Sequence, residues 1–451
     1  MRFDAQSIAQ ATGGQVIESA GDGEICTDTR SLPAGAWFLA LKGERFDGHT
    51  FLTGAVAEKA RGCVASDTPD SDWQCGVVMV GDTTRALQDL GRAARRRLRV
   101  PIVGLTGSSG KTTTRTLIRR ALDQMGLVHD TQGNLNNHLG VPMTLLACPP
   151  DADVVVAEMG TSAPGEIELL ADILAPTIRL VVNVGPAHLL ELGGLSGVAR
   201  EKCSLFDTAR AGDVVVLNID DPWIREHPLP PHVSTVTFGR SESADISLVD
   251  ATLERPLNTR ASFRTPTGPL EVLLPVPGIH IAHDAAGALA VAHALGLDLK
   301  RAAADLEAYE PVGMRMRTED LPGGAVAIND AYNANPASME ASLRVLQSLP
   351  GRRVAVLGDM LELGEEEGEW HAKVASLADS LGLDLLVLVG PRMSAAAESC
   401  SRTEVWAHVE GLDAVSPLRQ WLAGADYALF KGSRGARVER ILQQLGGEDN
   451  P

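Results

Sequence analysis

The segment Ile102-Val-Gly-Leu-Thr-Gly-Ser-Ser-Gly-Lys-Thr112 decides the fold of this 451-residue chain. Its apolar beginning predicts a buried strand, and a helix is predicted to start at the Gly-Lys-Thr end. Glycines between a strand and a helix let backbone N–H groups curl around phosphate oxygens, while the positive helix end faces the same anion. The spacing Gly-x-x-Gly-Lys-Thr is shorter than the standard phosphate-loop pattern. The context still predicts that Lys111 reaches the outer phosphates of a nucleotide and that Thr112 holds Mg²⁺.

Apolar runs without polar alternation recur after this loop. Strands of this kind are buried on both faces, as in a parallel sheet covered by helices. Between Asp220 and Pro277 the pattern is more irregular and strand-like. The predicted buried strands are Val154–Ala157, Leu180–Asn183, Val214–Leu217, Val354–Leu357, Leu385–Val389 and Tyr427–Phe430.

The length of the chain exceeds what one ordinary core supports, so two or three domains are expected. A helix ending in Arg95-Arg-Arg-Leu-Arg99 stops before Pro101, and the pattern changes again near Glu310-Pro-Val312. These changes predict an α/β protein of three domains. They are a small α/β domain (1–99), a central nucleotide-binding domain with a mostly parallel sheet (100–310), and a C-terminal Rossmann-like domain (311–451).

Charge and composition exclude several classes of function. The formal net charge of −18 argues against nucleic-acid binding and against docking on an anionic membrane. No run reaches the roughly 20 apolar residues that span a bilayer, and the N-terminus lacks the apolar stretch of a secretory signal. The six cysteines are scattered, as expected of reduced thiols. A cytoplasmic location is expected.

Three further residues are candidate metal ligands, each with a structural alternative. Glu158 ends a predicted buried strand, where nucleotide-binding proteins place a carboxylate for Mg²⁺, although a strand-end glutamate can simply face solvent. His188 follows another predicted strand, where a lone histidine is more often structural. Lys202 lies in a predicted helix, and the residue alone favours a solvated lysine.

The loop, Glu158, His188 and Lys202, in this order and at these separations, resemble the Mur ligase family. The resemblance covers nearly the whole chain and includes the family's UDP-binding segment. The motifs that resemble the UDP-binding segment are Thr27-Asp-Thr-Arg30, Phe38-Leu-Ala-Leu-Lys-Gly43 and Asp47-Gly-His49. Those of the central part are Gly133-Asn-Leu-Asn-Asn137, Gly140-Val-Pro142, Glu158-Met-Gly-Thr161, Gly165-Glu-Ile167 and Ala187-His188.

The C-terminal third discriminates between branches of this family. Its motifs are similar to the branch that adds D-alanyl-D-alanine, and differ from what is expected of the ligase that adds the third amino acid. They are Asp330-Ala-Tyr-Asn-Ala-Asn-Pro336, Leu357-Gly-Asp-Met-Leu-Glu-Leu-Gly364 and Lys431-Gly-Ser-Arg434.

The resemblance implies two Mg²⁺ ions, one bound by Thr112 and Glu158 and the other by His188 and Lys202. The family's lysine at this position is carbamylated by CO₂, which replaces an ammonium that would repel the ion by an oxygen anion. Arg315 would reach the ATP phosphates. The implied catalytic residues are therefore Lys111, Lys202, His188, Glu158 and Arg315.

The resemblance also implies residues that bind the nucleotide and the substrates. The nucleotide residues are Thr106, Gly107, Ser108, Ser109, Gly110, Lys111, Thr112, Thr113, His280, Arg315, Asp330 and Asn333. The substrate residues are Thr29, Arg30, Lys42, Asp47, Gly48, His49, Asn134, Asn136, Asn137, Lys431, Ser433 and Arg434; the favoured interpretation of His49 is that it shapes a loop.

The chain departs from the family pattern at three places. Met314 stands where the family usually has Gly, and Asp284 stands where Asn is common. Cys203-Ser204 follows Lys202 where Gly-Glu is frequent. None of these changes removes an expected metal or phosphate ligand.

The activity implied is the ATP-dependent joining of D-alanyl-D-alanine to UDP-N-acetylmuramoyl-tripeptide through an acyl phosphate, in peptidoglycan synthesis. The partners implied are these small molecules, with no nucleic acid and no membrane insertion, and a monomer is expected. Two alternatives stay open: a related ligase that uses a different amine, including one that adds glutamate to folate, and an ATP-binding switch or scaffold that ligates nothing.

Overall fold

The computed structural model describes residues 1–43, 46–254 and 257–446, so the last five residues of the predicted C-terminal domain lie outside the described part. Up to residue 100 the strands are β1 (Arg2–Phe3), β2 (Gln15–Glu18), β3 (Gly23–Cys26), β4 (Trp37–Leu39), β5 (Gly62–Ala65) and β6 (Gly76–Met79), and the helices are α1 (Ala5–Thr12), α2 (Gly54–Ala57) and α3 (Thr83–Arg97).

The central part continues with alternating strands and helices. Its strands are β7 (Ile102–Thr106), β8 (Val128–Asp130), β9 (Val154–Glu158), β10 (Ile178–Val181), β11 (Val214–Asn218), β12 (Ser234–Gly239), β13 (Ile246–Glu254), β14 (Asn258–Thr265) and β15 (Gly268–Leu274). Its helices are α4 (Lys111–Ala121), α5 (Gly140–Ala147), α6 (Glu166–Leu174), α7 (Leu189–Leu192), α8 (Leu195–Asp207), α9 (Pro222–Arg225), α10 (Ile279–Ala294) and α11 (Leu299–Leu306).

The C-terminal part has the same alternation. Its strands are β16 (Arg317–Asp320), β17 (Val326–Asn329), β18 (Arg353–Gly358), β19 (Leu385–Val389), β20 (Glu404–His408) and β21 (Tyr427–Lys431). Its helices are α12 (Pro336–Ser348), α13 (Glu367–Ser380), α14 (Pro391–Ala395), α15 (Val415–Leu422) and α16 (Glu439–Gly446). None of the helices in the described ranges has both the length and the apolar character that a membrane crossing requires.

Within the described residues the strands form sheets of six, nine and six strands, which confirms the predicted α/β class with three sheet domains. The chain divides into two compact units. The first comprises Met1–Gly104, Met125–Thr161 and Gly165–Ile178, and the second comprises Leu105–Gln124, Ser162–Pro164 and the described residues of Arg179–Pro451. The domain boundaries at residues 99 and 310 stay predictions.

The first unit holds a six-stranded sheet in the order β1-β3-β4-β5-β6-β2. Strands β3 to β6 run parallel, while β1 and β2 pair antiparallel at the two edges. The fully buried Trp37 lies at the centre of this sheet. The same unit contains the parallel pair β8 and β9.

The second unit contains the phosphate-loop segment and the C-terminal sheet. Strands β11, β12 and β13 pair in parallel, and β13, β14 and β15 continue as an antiparallel meander. This meander is the region in which the sequence pattern was irregular. The C-terminal sheet has the order β16-β17-β21-β18-β19-β20 and is parallel except for the edge strand β16.

Two predicted element bounds differ from the structure for local reasons. The strand predicted at Leu180–Asn183 is β10 (Ile178–Val181), because Asn183 leaves the strand to hydrogen-bond the phosphate loop. The sequence after Pro277 predicts a helix from about Ile281 to Leu295. In the structure this helix is α10, which begins two residues earlier at Ile279, after Gly278 at φ 140°.

Two glycines make room for Trp37 in the first sheet. A Cβ atom on Gly62 would lie 2.6 Å from the carbonyl oxygen of Gly76 and would overlap the indole ring. A Cβ atom on Gly76 would lie 2.8 Å from the Trp37 ring. We expect Gly62→Ala to lower the free energy of unfolding by about 1–3 kcal/mol, because a packed core resists added volume. Chemical denaturation measures this loss.

The matched control is Gly21→Ala, since a Cβ atom at Gly21 meets no atom within 4 Å. Equal denaturation midpoints for the two variants would contradict the assignment of Gly62 as a packing position.

Candidate active site

The phosphate loop connects β7 to α4 as the sequence predicts. Strand β7 ends at Thr106 and helix α4 begins at Lys111, with Gly110 as its N-cap at φ 75°. This left-handed conformation favours glycine. The Lys111 ammonium donates to the carbonyl oxygen of Gly107 at 2.8 Å, so the lysine folds back over its own loop. The backbone amides and the lysine thus surround one small space at a helix N-terminus, a geometry suited to phosphate.

Asn183 braces this loop from the end of the neighbouring strand. Its backbone oxygen accepts from the Ser108 N–H at 3.1 Å, and its side-chain oxygen accepts from the Ser109 N–H at 3.0 Å. Its amide also donates to the Ser109 carbonyl at 3.2 Å. The sequence pattern alone does not indicate a functional role for Asn183. The available signal was an amide residue directly after an apolar run.

A buried polar layer supports the first turn of α4. The Asp284 carboxyl is buried and hydrogen-bonds Thr114. It also lies close to Gly110: a Cβ atom on this glycine would be 3.1 Å from Asp284 Oδ2. Burial raises the pKa of Asp284 to about 7. The buried Tyr309 hydroxyl bonds Thr113, and burial raises its pKa as well. The loop therefore rests on polar groups supplied by α10 and by the segment after α11.

Lys202 is buried on α8 and is not a solvated helix-face lysine. Its relative exposure is 1%. Burial and the nearby charge of Lys111 lower the pKa of Lys202 well below its ordinary value. Among the residues that the structure describes, no hydrogen bond or ion pair to its amine is present. The unpaired amine therefore favours the neutral form, which is nucleophilic.

His188 caps α7 from a left-handed backbone conformation at φ 53°. Its Nδ1 lies 2.9 Å from the Glu362 carboxylate, which follows β18 in the C-terminal sheet. The hydrogen bond from His188 lowers the pKa of Glu362. Glu362 belongs to the Leu357–Gly364 motif, although the motif alone does not indicate a role for this residue.

Two of the C-terminal motifs, Asp330–Pro336 and Lys431–Arg434, are joined by a buried ion pair. The Lys431 ammonium lies 2.5 Å from Asp330 Oδ2 and also donates to the Asn333 carbonyl at 3.3 Å. Ser342 donates to the same Asp330 oxygen at 2.6 Å. Removal from water lowers the pKa of His280 to about 4, a shift that the charge of Asp330 opposes. The ion pair and the hydrogen bonds with Ser342 and the Asn333 carbonyl explain why Asp330 and Lys431 can both be buried.

Asn335 connects the C-terminal segment to the phosphate loop, whereas Arg315 contacts residues of its own segment. The Arg315 guanidinium stacks on the Tyr332 ring at 3.6 Å from the ring centroid, and it donates to the Val312 carbonyl at 3.4 Å. The side-chain amide of Asn335, which caps α12, donates to the Ser108 carbonyl at 3.5 Å. This last contact links the Asp330–Pro336 motif directly to the phosphate loop.

Two residues predicted to bind substrate from the Lys431–Arg434 motif have protein partners. Ser433 is buried, accepts from the Leu361 N–H at 3.0 Å and donates to the Ala334 carbonyl at 3.2 Å. Arg434 is exposed and pairs with Glu439 at 2.8 Å. Ser433 therefore holds the loop after β18, and its role in substrate binding stays a prediction.

The first unit carries Glu158 and its supporting amides. Glu158 ends β9 and is buried, and its carboxylate accepts from the Asn136 side chain at 2.9 Å. The side-chain oxygen of Asn137 accepts from the N–H groups of Leu139 and Gly140, just before and at the start of α5. The Asn134 carbonyl accepts from the Asn136 N–H at 2.8 Å. The predicted substrate amides thus organise the surroundings of Glu158.

The N-terminal motif residues of the first unit form a turn. Asp47 bonds His49 Nδ1 at 2.6 Å, and His49 Nε2 accepts from the Ser66 N–H at 3.0 Å. Both ring nitrogens of His49 are therefore occupied, as its favoured interpretation as a loop residue requires. Lys42 lies 3.5 Å from Asp47 and from Asp67.

Other residues of this motif set differ in exposure. Gly48 is buried, and a Cβ atom there would lie 2.8 Å from the Leu41 carbonyl. Thr29 begins a short 3₁₀ turn capped by Asp28, and Arg30 pairs with Asp28 in solvent at 2.7 Å. The Arg30 guanidinium lowers the pKa of Asp28 to about 2.

A cavity of about 370 Å³ opens at the carboxyl ends of the C-terminal strands. In open α/β sheets this edge is where ligands bind. Its lining combines charged side chains of both signs with apolar ones, and includes Arg392, Arg437, Arg440, Asp359, Glu410, Val389, Leu412 and Ile441. Arg392 also pairs with Glu367 at 2.6 Å.

Comparison with known families agrees with this arrangement. The Mur ligase middle domain matches residues 105–292, and the Mur ligase, glutamate ligase domain matches residues 314–434. The chain belongs to the Mur ligase family. These two matches contain the phosphate loop, His188, Lys202 and the C-terminal motifs.

Individual relatives match almost the full length of this Mur ligase. A UDP-N-acetylmuramoyl-tripeptide–D-alanyl-D-alanine ligase from Synechocystis is 38% identical over 94% of this chain and 92% of its own. The crystal structure of MurF from Acinetobacter baumannii superimposes with a TM-score of 0.92, at 32% identity and 99% coverage of both chains. MurF from Thermotoga maritima in complex with ADP gives a TM-score of 0.84, at 28% identity over 94% of this chain and 97% of that one.

The raised pKa of Asp284 makes the stability of this Mur ligase depend on pH. An ordinary aspartate ionises near 3.8, whereas Asp284 ionises near 7 when folded. Between these values the folded chain binds a proton that the unfolded chain has lost, so the free energy of unfolding falls as pH rises and levels off above about 7. We expect Asp284→Asn to remove this fall and to gain up to about 4 kcal/mol above pH 7. Denaturation at acid and at alkaline pH measures the difference.

Asp250→Asn is the matched control, because Asp250 is exposed on β13. If Asp284→Asn and wild type lost stability in parallel from acid to alkaline pH, the raised pKa would be refuted.

Proposed function

We propose that this Mur ligase joins D-alanyl-D-alanine to UDP-N-acetylmuramoyl-tripeptide and converts ATP to ADP and phosphate. The observation that carries this proposal is the full-length similarity to ligases of that name, which extends from the N-terminal motifs to Lys431–Arg434. The product is the UDP-linked pentapeptide of peptidoglycan synthesis. We place the reaction in the cytoplasm, where ATP and nucleotide sugars are available.

The chemistry explains why the site gathers positive charge. A carboxylate oxygen is a poor leaving group, so the terminal carboxylate of the tripeptide first attacks the γ-phosphorus of ATP and ADP leaves. The amine of the dipeptide then attacks the carbonyl carbon of the acyl phosphate, a proton is lost from the amine, and phosphate leaves. Negative charge accumulates in both steps, and preorganised donors are the largest source of stabilisation for such charge.

The loop residues serve the phosphoryl groups. We assign the triphosphate to the N–H groups of Thr106–Thr113 and to Lys111, which already lies over the loop. We also assign four residues from later in the chain to the nucleotide site: His280, Arg315, Asp330 and Asn333. The hydrogen bond from Asn335 to Ser108 supports this assignment, because it connects the Asp330–Pro336 motif to the loop.

The chemistry of the assigned ligands is suited to magnesium. Mg²⁺ prefers oxygen ligands, and the Thr112 hydroxyl and the Glu158 carboxylate, which the family resemblance assigns to one ion, are both of this kind. His188 with Lys202 would hold the second if the lysine carries a carbamate. Bound Mg²⁺ would supply electrostatic stabilisation of the phosphoryl oxygens.

The state of Lys202 favours carbamate formation. Only a neutral amine attacks CO₂, and burial without a partner lowers the pKa of Lys202 in that direction. The amine nitrogen bonds to the carbon of CO₂ and releases one proton, giving an oxygen anion on a long side chain. The assignment of a carbamate to Lys202 is supported by the burial of this side chain and by the nearby charge of Lys111.

The substrates are assigned to opposite ends of the chain. We assign the UDP end to Thr29, Arg30, Lys42, Asp47, Gly48 and His49, and the peptide to Asn134, Asn136 and Asn137. D-alanyl-D-alanine has two methyl groups and a free carboxylate, which match the apolar and arginine lining of the C-terminal cavity. Lys431 and Ser433 would support this cavity, and Arg434 stands exposed beside it.

Incubation of the protein with UDP-N-acetylmuramoyl-tripeptide, ATP and D-alanyl-D-alanine should give the pentapeptide product by mass spectrometry. Lys111→Ala should reduce the rate by about 10² or more, because the loop loses its charge at the phosphates. Lys373→Ala is the control, since Lys373 is exposed beside Glu369.

Single amino acids and glutamate with a folate acceptor belong in the same assay. Turnover of one of these in place of the dipeptide would favour a different amide ligase. ATP hydrolysis that is independent of every acceptor would favour a switch.

Lys202→Met should nearly abolish ligation while filling most of the lysine's volume, and formate or acetate should restore part of the rate to Lys202→Ala by supplying an oxygen anion. Enzyme equilibrated with ¹³C-bicarbonate should show a carbamate carbon by NMR that both variants lack. Wild-type turnover by Lys202→Met, or a ¹³C spectrum unchanged by the substitutions, would refute the carbamate.

A further inference from the structure

The contact between Glu362 and His188 has no role in the reaction described so far. Glu362 follows β18 of the C-terminal sheet, whereas His188 precedes α7 of the central segment, and the two side chains meet at 2.9 Å. No partner for His188 Nε2 is present among the residues that the structure describes. The Nδ1 atom of the imidazole is therefore held by Glu362, while the Nε2 atom stays available for another ligand.

The loop that carries Glu362 is fixed from behind. The Met360 N–H donates to His371 Nε2 at 2.9 Å, and the Leu361 N–H donates to Ser433 Oγ at 3.0 Å. Leu363, on the other side of Glu362, is buried. The carboxylate thus extends from a backbone whose position the C-terminal core determines.

Both partners adopt backbone conformations that are rare for residues with a Cβ atom. His188 has φ 53° and Glu362 has φ 65°. Such conformations persist only where the surrounding contacts enforce them, and they cluster at functional sites. Gly364, two residues after Glu362 and at φ 73°, lies beside α7, since a Cβ atom there would be in ordinary contact with Leu190 Cβ at 3.4 Å. Packing on α7 and the His188 contact therefore occur together.

The exposure of the pair argues against a role in stability. The side chains of Glu362 and His188 are 57% and 26% exposed. Ion pairs that water reaches contribute little to folding. A geometric role explains the enforced backbone better than a stabilising one.

We propose that Glu362 is a positioning residue that accepts the Nδ1–H of His188, sets the orientation and tautomer of the imidazole, and leaves Nε2 for the reaction centre. A histidine that ligates a metal commonly donates its other N–H to a carboxylate, which fixes the ring and its tautomer. The proposal rests on the proposed function for the role of His188. Because Glu362 belongs to the C-terminal sheet, His188 is oriented only when this loop is seated on α7.

The kinetic test compares Glu362→Ala and Glu362→Gln with Glu365→Ala, an exposed neighbour in the same loop. Glu362→Ala should lower kcat by about tenfold or more, with little change in the KM values and in the thermal midpoint. Glu362→Gln should retain most of the rate, since its amide oxygen still accepts a hydrogen bond. Wild-type kcat in Glu362→Ala, or a loss equal to that of Glu365→Ala, would overturn the proposal.

A second measurement needs no substrate, so it separates this proposal from the proposed function. Long-range ¹H–¹⁵N spectra of ¹⁵N-histidine-labelled enzyme report which ring nitrogen carries the hydrogen, and His188→Asn identifies the signal. Wild type and Glu362→Gln should show the Nδ1–H form, and Glu362→Ala should lose it. The same tautomer in all three proteins would overturn the proposal even if ligation is observed.

Discussion

A phosphate loop must hold its N–H groups in a fixed arrangement, and a loop of small residues depends for this largely on the surrounding protein. In this chain Asn183 hydrogen-bonds the backbone of Ser108 and Ser109 from the end of one strand. Asn335 reaches Ser108 from the cap of α12. Asp284 and the Tyr309 hydroxyl support the first turn of the helix from below. The order of the loop is therefore the joint property of four separate segments.

The second constraint is the removal of charge from water. Lys202 and the Asp330–Lys431 pair are buried in a chain whose net charge is −18. The ion pair compensates its own desolvation through Ser342 and the Asn333 carbonyl. Lys202 has no hydrogen bond of this kind in the described part of the chain, and its burial together with the nearby charge of Lys111 lowers the pKa of its amine. Removal from water therefore costs free energy at both sites, and at Lys431 the contacts with Asp330 and the Asn333 carbonyl offset this cost.

The sequence was most informative where the backbone itself carries the signal. The apolar run before Thr106 and the Gly-Lys-Thr turn placed β7 and α4 almost to the residue, because strand, loop and helix each leave a local pattern. The C-terminal strands were similarly clear. Lys202 was different: a lysine in a helix predicts exposure, and only the family resemblance indicated otherwise. Its burial depends on packing around α8, which has no local signature.

Partners that are distant along the chain could not be predicted. The pairing of Glu362 with His188 and the bracing by Asn183 depend on which loops the topology brings together. Ser433 was expected at a substrate, yet its hydroxyl holds the loop after β18. In each of these cases the identity of the partner required the three-dimensional arrangement.

The packing of Trp37 against Gly62 and Gly76 has a consequence for how this chain can vary. The indole fills the space that two side chains would occupy on adjacent strands. A larger residue at either glycine is compatible with the sheet only if the tryptophan becomes smaller at the same time. Substitutions at these three positions must therefore occur together, in evolution and in redesign, although the positions lie up to 39 residues apart in the chain.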